Sequence, residues 1–120
     1  QKPPAMPDVD DEILARGSRL YSELCARCHG TGVVASGGIP ALRHMSPETH
    51  SRFDDIVIRG AYVSIGMPHF QEELADHTDL SALHAYVIEQ AHEDEALRNG
   101  NPVWRAIKQA AYSTLAWILF

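Results

Sequence analysis

The sequence has 120 residues, of which 45% are hydrophobic, and this suits one domain with a modest buried core. Its formal net charge is −6, and it lacks the basic stripe that follows nucleic-acid phosphates, so no nucleic-acid partner is expected. No run of about 18 or more uncharged apolar residues predicts a membrane-spanning helix. An acidic surface suits a protein partner with a basic docking patch.

The first nine residues precede any helical pattern. Three prolines stand within Gln1–Pro7, and such a segment favours extended conformations. Residues 1–9 are therefore predicted to form a linker or flexible arm, or equally a disordered terminus. The start has no basic stretch followed by an apolar one, so we expect either a mature chain whose signal has been removed or a segment of a longer chain.

A first helix is predicted from about Asp10 to Cys25, with acidic residues that compensate the helix dipole at its start. Its apolar residues recur at helical spacing along one face, and they are Ile13, Leu14, Leu20, Tyr21 and Leu24. Gly17 lies on the same face, where it weakens the helix. We therefore expect another helix to cross closely over Gly17; the alternative is that this glycine is a tolerated weak point.

The stretch Cys25-Ala26-Arg27-Cys28-His29 has the C-x-x-C-H pattern of c-type haem attachment. In that chemistry the two thiols bond to the haem vinyl groups, and the histidine ligates the iron. No other cysteine is present, so no disulfide framework competes. A redox C-x-x-C motif would need a βαβ context, and a zinc site would need a second ligand pair. We therefore predict one covalent haem c, and a chance occurrence of the pattern is the remaining alternative.

Residues 30–38 contain four glycines, a composition typical of a loop. A phosphate cradle is not expected, because the segment has no Lys-Ser/Thr pair and no preceding strand. Pro40 offers only a carbonyl, which is the usual acceptor for the ring N–H of a haem-ligating histidine. The guanidinium of Arg43 matches a haem propionate, and the alternative is a solvated surface arginine.

Ser46 and Pro47 begin a second predicted helix, with Ser46 as the N-cap and Pro47 at the first helical position. This helix is predicted to end at Gly60.

Met67 is the predicted sixth iron ligand, because Gly66-Met67-Pro68 places it in a turn and not on a helix face. Iron held by His and Met is the arrangement that raises the potential of electron-transfer cytochromes. The alternatives that stay open are Met45 and a bis-histidine haem that uses His69 or His44. With both axial positions filled, no open iron site remains, so electron transfer is favoured over catalysis.

Thr78 or Asp79 is predicted to cap a third helix, which would cross the first one at Gly17. Its acidic run, residues 93–95, is predicted to be a solvated and frayed end, because negative charge there opposes the helix dipole. After a break at residues 99–102, a last helix over about residues 102–119 carries a long apolar stripe. We expect it to dock on another protein, less on its own domain, and least on a membrane interface.

These motifs together resemble a known family. Gly17-x-x-Leu20-Tyr21-x-x-x-Cys25-x-x-Cys28-His29-Gly30 resembles the start of class I cytochrome c domains. Later segments are similar to the C-terminal cytochrome domain of quinohaemoprotein alcohol dehydrogenases, which are exported PQQ-dependent enzymes; these segments are Gly37–Arg43, Phe53–Gly60, Gly66–Phe70 and Leu83–Ile88. The resemblance covers about residues 10–92. Ala41 stands where the family often has an acidic residue, and residues 93–120 match none of its motifs.

The resemblance implies an all-α, class I cytochrome c fold around a covalent haem, with an extra C-terminal helix. It divides the chain into a linker or arm (1–9), a cytochrome c domain (10–96) and a C-terminal docking helix (97–120). The implied roles are haem attachment by Cys25 and Cys28, iron ligation by His29 and Met67, orientation of His29 by Pro40, and a propionate contact by Arg43.

The resemblance also implies a function. The chain would not be an enzyme on its own; it would accept single electrons from a PQQ-dependent dehydrogenase domain or subunit, with PQQ only in that partner. It would pass them to a soluble or respiratory-chain acceptor such as a small redox protein, in the periplasm or otherwise outside the cytoplasm. The alternatives are a free-standing cytochrome c shuttle, and a haem sensor or peroxidase with a labile Met67. The last predicted helix favours the first function, because a free shuttle has little use for an extra apolar helix.

Overall fold

The computed structural model describes residues 2–30 and 42–98, and every regular element in these two ranges is helical. Five α-helices follow one another, namely α1 (Asp11–Leu24), α2 (Ala26–His29), α3 (Pro47–Ser51), α4 (Phe53–Val57) and α5 (His77–Arg98). Two short 3₁₀ turns span Leu42–His44 and Val63–Ile65. This confirms the all-α fold. Pro40 and the helix predicted over residues 102–119 lie outside the described residues, and no helix within them is long and apolar enough to cross a membrane.

Helix α1 forms close to where the sequence predicts it. The carboxylate of Asp10 accepts a hydrogen bond from the backbone N–H of Ile13 at 2.9 Å, so Asp10 is the N-cap. Asp11 and Glu12 add negative charge to the first turn, where the helix dipole favours it. The helix ends at Leu24, immediately before the first cysteine.

Helices α1 and α5 cross at Gly17, as the sequence predicts. A Cβ atom placed on Gly17 would lie 2.7 Å from the carbonyl carbon of Ala82, and nearer still to its oxygen. It would also lie 2.9 Å from Cβ of Tyr86. The two backbones approach so closely that only glycine fits, and this explains why a poor helix former stands on the apolar face of α1.

The hydrophobic core is built around α5. Its buried members come from α1, α4, α5 and the turn before α5, and they are Tyr21, Phe53, Val57, Leu74, Leu80, Leu83 and Val87. Helix α5 contacts both α1 and the 3₁₀ turn at Leu42–His44, so it connects the other elements of the core.

The second predicted helix is two helices. Ser46 caps α3 as expected, since its hydroxyl accepts from the N–H of Thr49 at 3.1 Å. The hydroxyl of Ser51 donates to the carbonyl of Glu48 at 2.6 Å, and the N–H of Arg52 bonds to Thr49 instead. A side chain thus takes the carbonyl that the next helical turn needs, and the helix breaks at Arg52.

Gly60 is the glycine at which this segment turns away, as predicted, although the regular turns of α4 end three residues earlier, at Val57. Gly60 has φ +79° and forms the turn that follows the helix, closed by a hydrogen bond from the N–H of Ala61 to the carbonyl of Asp55.

Helix α5 begins one residue before the predicted caps, at His77. The carboxylate of Asp76 accepts from the N–H of Thr78 at 2.8 Å, and its carbonyl accepts from Leu80 at 3.1 Å. Asp76 is therefore the capping residue, and the prediction of Thr78 or Asp79 is wrong. Asp79 instead lies inside the first turn and pairs with Nε of Arg16 on α1 at 2.7 Å.

The far end of α5 is not frayed as predicted, since the helix continues through Arg98. Within the acidic run, Asp94 accepts from Nε2 of His44 at 3.0 Å. This contact from the 3₁₀ turn offsets the unfavourable placement of a carboxylate near a helix C-terminus.

The segment before α1 lies against α5. Nε2 of His92 donates to the carbonyl of Pro4, with 2.5 Å between the two atoms. Pro4 and Val9 are half-buried, and a turn joins Val9 to the carbonyl of Pro7 at 3.0 Å. The described part of the arm is thus attached to the helical domain at one point, and the division at residue 9 stays a prediction.

Candidate haem site

The C-x-x-C-H stretch forms one tight helical turn directly after α1. Cys25 is the C-cap of α1, and its N–H donates to the carbonyl of Tyr21 at 2.8 Å. Its own carbonyl then accepts from Cys28 at 3.2 Å and from His29 at 2.9 Å. Residues three and four positions apart share a face of a helix, so both sulfurs and the imidazole stand on one side of this turn. That arrangement fits a single flat ligand bound at all three groups.

The two thiols have different surroundings. Cys25 is half-buried against the hydrophobic core, whereas Cys28 is exposed, and neither forms a disulfide. Burial raises the pKa of the Cys25 thiol to about 11, and the neighbouring Cys28 adds to this by charge repulsion. Cys25 is therefore neutral at pH 7. An uncharged sulfur packed beside the core can become a thioether without loss of packing.

Tyr21 fixes the end of this turn, a role that we did not predict from the sequence. Its hydroxyl donates to the carbonyl of Gly30 at 2.6 Å, and its side chain is 1% exposed. The N–H of Gly30 bonds back to Ala26 at 2.9 Å, and Gly30 takes φ +86°, which favours glycine. The sequence did contain a signal for this role. A tyrosine on the apolar face of a helix is expected to be buried, and a buried tyrosine hydroxyl usually has a hydrogen-bond partner.

The segment around Met67 is a turn, as Gly66-Met67-Pro68 predicts. The carbonyl of Tyr62 accepts from Ile65 at 3.1 Å and from Met67 at 3.2 Å, and Gly66 takes φ +104°. At the far end, the N–H of Phe70 donates to the carbonyl of Val57 at 2.7 Å and joins the turn to α4. Met67 itself is half-buried and packs against the core.

The alternative ligands are placed differently. His69 is exposed, and His44 is exposed with its Nε2 on Asp94. Met45 is half-buried against the core, as Met67 is, so packing alone does not separate the two methionines. Met45 follows a 3₁₀ turn, and its N–H donates to the carbonyl of Leu42 at 3.3 Å.

Arg43 is half-buried in the 3₁₀ turn and reaches α5. Its Nη2 donates to Oε1 of Gln90 at 2.8 Å, and Gln90 is 8% exposed. The buried Gln90 was not predicted as a partner, because nothing in the sequence separates it from a surface glutamine. The propionate contact of Arg43 stays a prediction, and Pro40 lies outside the described residues.

Comparison with known proteins places these features in a family. Residues 12–87 match the family described as cytochrome c oxidase, cbb3-type, subunit III. The chain is 35% identical over 88 residues to quinohaemoprotein alcohol dehydrogenase ADH IIB of Pseudomonas putida, covering 73% of this chain and 13% of that protein. It is 36% identical over 92 residues to ADH-IIG of the same species, covering 77% and 12%.

A solved structure gives the same result. Quinohaemoprotein alcohol dehydrogenase ADHIIG from Pseudomonas putida HK5 superimposes with a TM-score of 0.71 at 34% identity, over 87% of this chain and 14% of that one. The chain therefore spans about an eighth of the length of these relatives.

Proposed function

Because the chain belongs to the family described as cytochrome c oxidase, cbb3-type, subunit III, we propose that it carries single electrons on a haem ligated by His29 and Met67. A cytochrome c domain of this kind contains covalent haem c, and its function is electron transfer. When bound, the haem supplies a one-electron Fe(III)/Fe(II) couple. The proposal also names the two iron ligands and the redox partners.

The observation that carries the proposal is the turn from Cys25 to His29. Its backbone hydrogen bonds form one helical turn, in which Cys28 and His29 follow Cys25 at the three- and four-residue spacings that share a helix face. Tyr21 secures the end of the turn through Gly30, so α1 positions the attachment residues as a rigid element. Rigid placement suits electron transfer, because little rearrangement then accompanies the change of charge.

Met67 is proposed as the second residue that would hold the iron. The turn from Tyr62 to Phe70 is bonded to α4 at its exit and is held by a left-handed glycine directly before the methionine. A thioether is a neutral ligand, and pairing it with histidine raises the potential of the iron. Arg43 is proposed to meet a propionate, and Pro40 to orient the imidazole of His29 through its carbonyl.

The partners are proposed from the relatives. Quinohaemoprotein alcohol dehydrogenases are similar to this chain over most of its length. We therefore propose a PQQ-dependent alcohol dehydrogenase domain or subunit as the electron donor, with PQQ held only there, and a small redox protein as the acceptor. The chain would not be catalytic on its own, and the assembly would be periplasmic or otherwise exported.

The ligand assignment is tested by replacing Met67 and Met45 in turn with leucine, which keeps the volume but cannot ligate iron. In the haem-loaded protein, Met67→Leu is expected to abolish the methionine-to-iron absorption band of the ferric form. It should also lower the reduction potential by on the order of 0.1 V. Met45→Leu is the matched control, because Met45 is also half-buried against the core, and it should leave both measurements unchanged.

The same two variants distinguish the alternatives. If Met45→Leu loses the band and Met67→Leu keeps it, Met45 is the iron ligand. A wild-type protein without the band would point to bis-histidine ligation, and His69→Ala and His44→Ala would then identify the second histidine. Carbon monoxide binding by the unmodified protein at neutral pH would contradict a filled sixth position and favour a sensor or peroxidase.

A further inference from the structure

Two histidines far apart in the sequence meet inside the helical domain. His50 on α3 is 4% exposed, and its Nδ1 lies 3.0 Å from Nε2 of His84 on α5. The two rings are nearly parallel, with 5.3 Å between their centres. His84 also stacks on Phe53, the first residue of α4, at 4.1 Å and an interplanar angle of 1°. This pair, His50 with His84, therefore joins three helices.

The hydrogen bond between the rings needs one N–H and one lone pair, so it cannot form when both histidines are protonated. With both rings neutral, Nδ1 of His50 can donate and leave Nε2 of His50 without a proton, whereas after one proton is added the bond survives only if Nε2 of His50 carries an N–H. Nε2 of His50 is buried and has no hydrogen-bond partner among the described residues. A proton there would place a charged N–H where nothing accepts it, at a high desolvation cost. Protonation of both rings would bring two N–H groups face to face at the 3.0 Å contact. The pair is thus built for the neutral state.

Burial and the nearby charges also favour the neutral state of the pair. Burial, together with the smaller effect of the charge of His50, lowers the pKa of His84 to about 4, and Asp54 on α4 acts in the opposite direction. Burial also lowers the pKa of His50. Asp54 is exposed, so its attraction for a proton on His84 is screened by water.

A short path connects the pair to the turn that carries Met67. Phe53, which rests on His84, begins α4, and Val57 ends it. The carbonyl of Val57 accepts the N–H of Phe70, which fixes the exit of the turn that contains Met67. Movement of α4 away from α5 would therefore displace the anchor of this turn.

We propose that the neutral His50–His84 pair positions the Met67 turn through α4, and that acid releases Met67 from the iron by protonating the pair. The proposal rests on the ligation of iron by Met67 given above. We call the protein closed when the pair is buried and Met67 is bound, and released when α4 has moved and Met67 is free. In the released state the two rings are hydrated and take up protons near pH 6.5, whereas in the closed state His84 resists protonation down to about pH 4.

The effect of pH on the closed state follows from this difference in the pKa of His84 between the two states. The closed state is fully favoured above about pH 6.5 and is lost progressively as the pH falls towards 4. Each proton taken up by the released state shifts the equilibrium by about tenfold per pH unit. Over this range His84 alone should increase the ratio of released to closed protein on the order of 10²-fold.

The test follows the methionine-to-iron band of the ferric, haem-loaded protein from pH 7.5 to pH 4. The wild-type band should fade through this range. The double variant His50→Phe/His84→Phe keeps two stacked rings but removes both titrating groups, so its band should persist in acid. His77→Phe is the control, because His77 is exposed on the same helix, and its profile should match the wild type.

The outcomes separate the proposal from the function on which it rests. A wild-type protein with no band at pH 7 overturns ligation by Met67 and the proposal with it. A band that is present but unaffected by acid, or that fades equally in the double variant, overturns this proposal alone. If the double variant does not fold, ring-proton titration of His50 and His84 by NMR in the ferric wild-type protein replaces it. Protonation of these rings must coincide with loss of the band, and protonation without loss refutes the link.

Discussion

Substituting Gly17 by alanine tests the helix crossing that organises the fold. The added methyl would stand 2.7 Å from the carbonyl carbon of Ala82 and 2.9 Å from Cβ of Tyr86. Non-bonded carbon atoms prefer about 3.5–4.0 Å, so α1 and α5 would have to separate by about 1 Å. The obstacle is the backbone of α5, which cannot change rotamer to make room.

The magnitude is set by two opposing effects. Alanine improves the helix propensity of α1 by about 1 kcal/mol over glycine. Overpacking in a well-packed core costs about 1–3 kcal/mol or occasionally more, and this site is at the upper end because the clash is with main chain. The expected net loss is about 2 kcal/mol in the free energy of unfolding. For a domain of this size that lowers the melting temperature by about 10 °C.

The assay is thermal and denaturant unfolding of the haem-loaded protein, followed by circular dichroism. Arg19→Ala is the control, because it puts an alanine at an exposed position of α1 where no neighbour crosses, and it should change the stability by less than about 0.5 kcal/mol. If Gly17→Ala is as stable as the wild type, the close crossing described for α1 and α5 is wrong.

Three further substitutions test local contacts by the same unfolding assay. Tyr21→Phe removes the 2.6 Å hydrogen bond to Gly30 and should cost about 1 kcal/mol; no change would mean that the hydroxyl does not secure the haem-attachment turn. Asp10→Ala removes the N-cap of α1 and should cost about 1 kcal/mol, whereas Asp10→Asn should restore most of it. Arg16→Ala breaks the partly exposed pair with Asp79 and should cost less than about 1 kcal/mol, and that small loss should shrink in high salt.

The sequence predicted those features that depend on neighbouring residues or on one unusual residue. The start of α1 follows from Asp10, and the pattern that predicts haem c is contained in five consecutive residues. The crossing at Gly17 is a long-range contact, yet it was predicted. Glycine weakens a helix, so its presence on an apolar helix face is best explained by a closely packed neighbour.

Features decided by distant partners or by competing local hydrogen bonds were not predicted. The break between α3 and α4 depends on the hydroxyl of Ser51 reaching the carbonyl of Glu48, which helical periodicity does not reveal. The ordered end of α5 depends on a contact between Asp94 and His44, 50 positions apart in the chain. The contact between His50 and His84 could not be predicted either, because only the folded chain brings their rings together.

The hydrogen bond between Pro4 and His92 shortens the tether of anything joined to the arm. If the arm were free up to Asp10, six more residues would add up to about 20 Å of reach. With Pro4 held on α5, a partner joined at the arm searches a smaller volume around the haem domain, and its effective concentration there is higher. One histidine on α5 would in this way influence how often anything joined to the arm comes within reach of the haem domain.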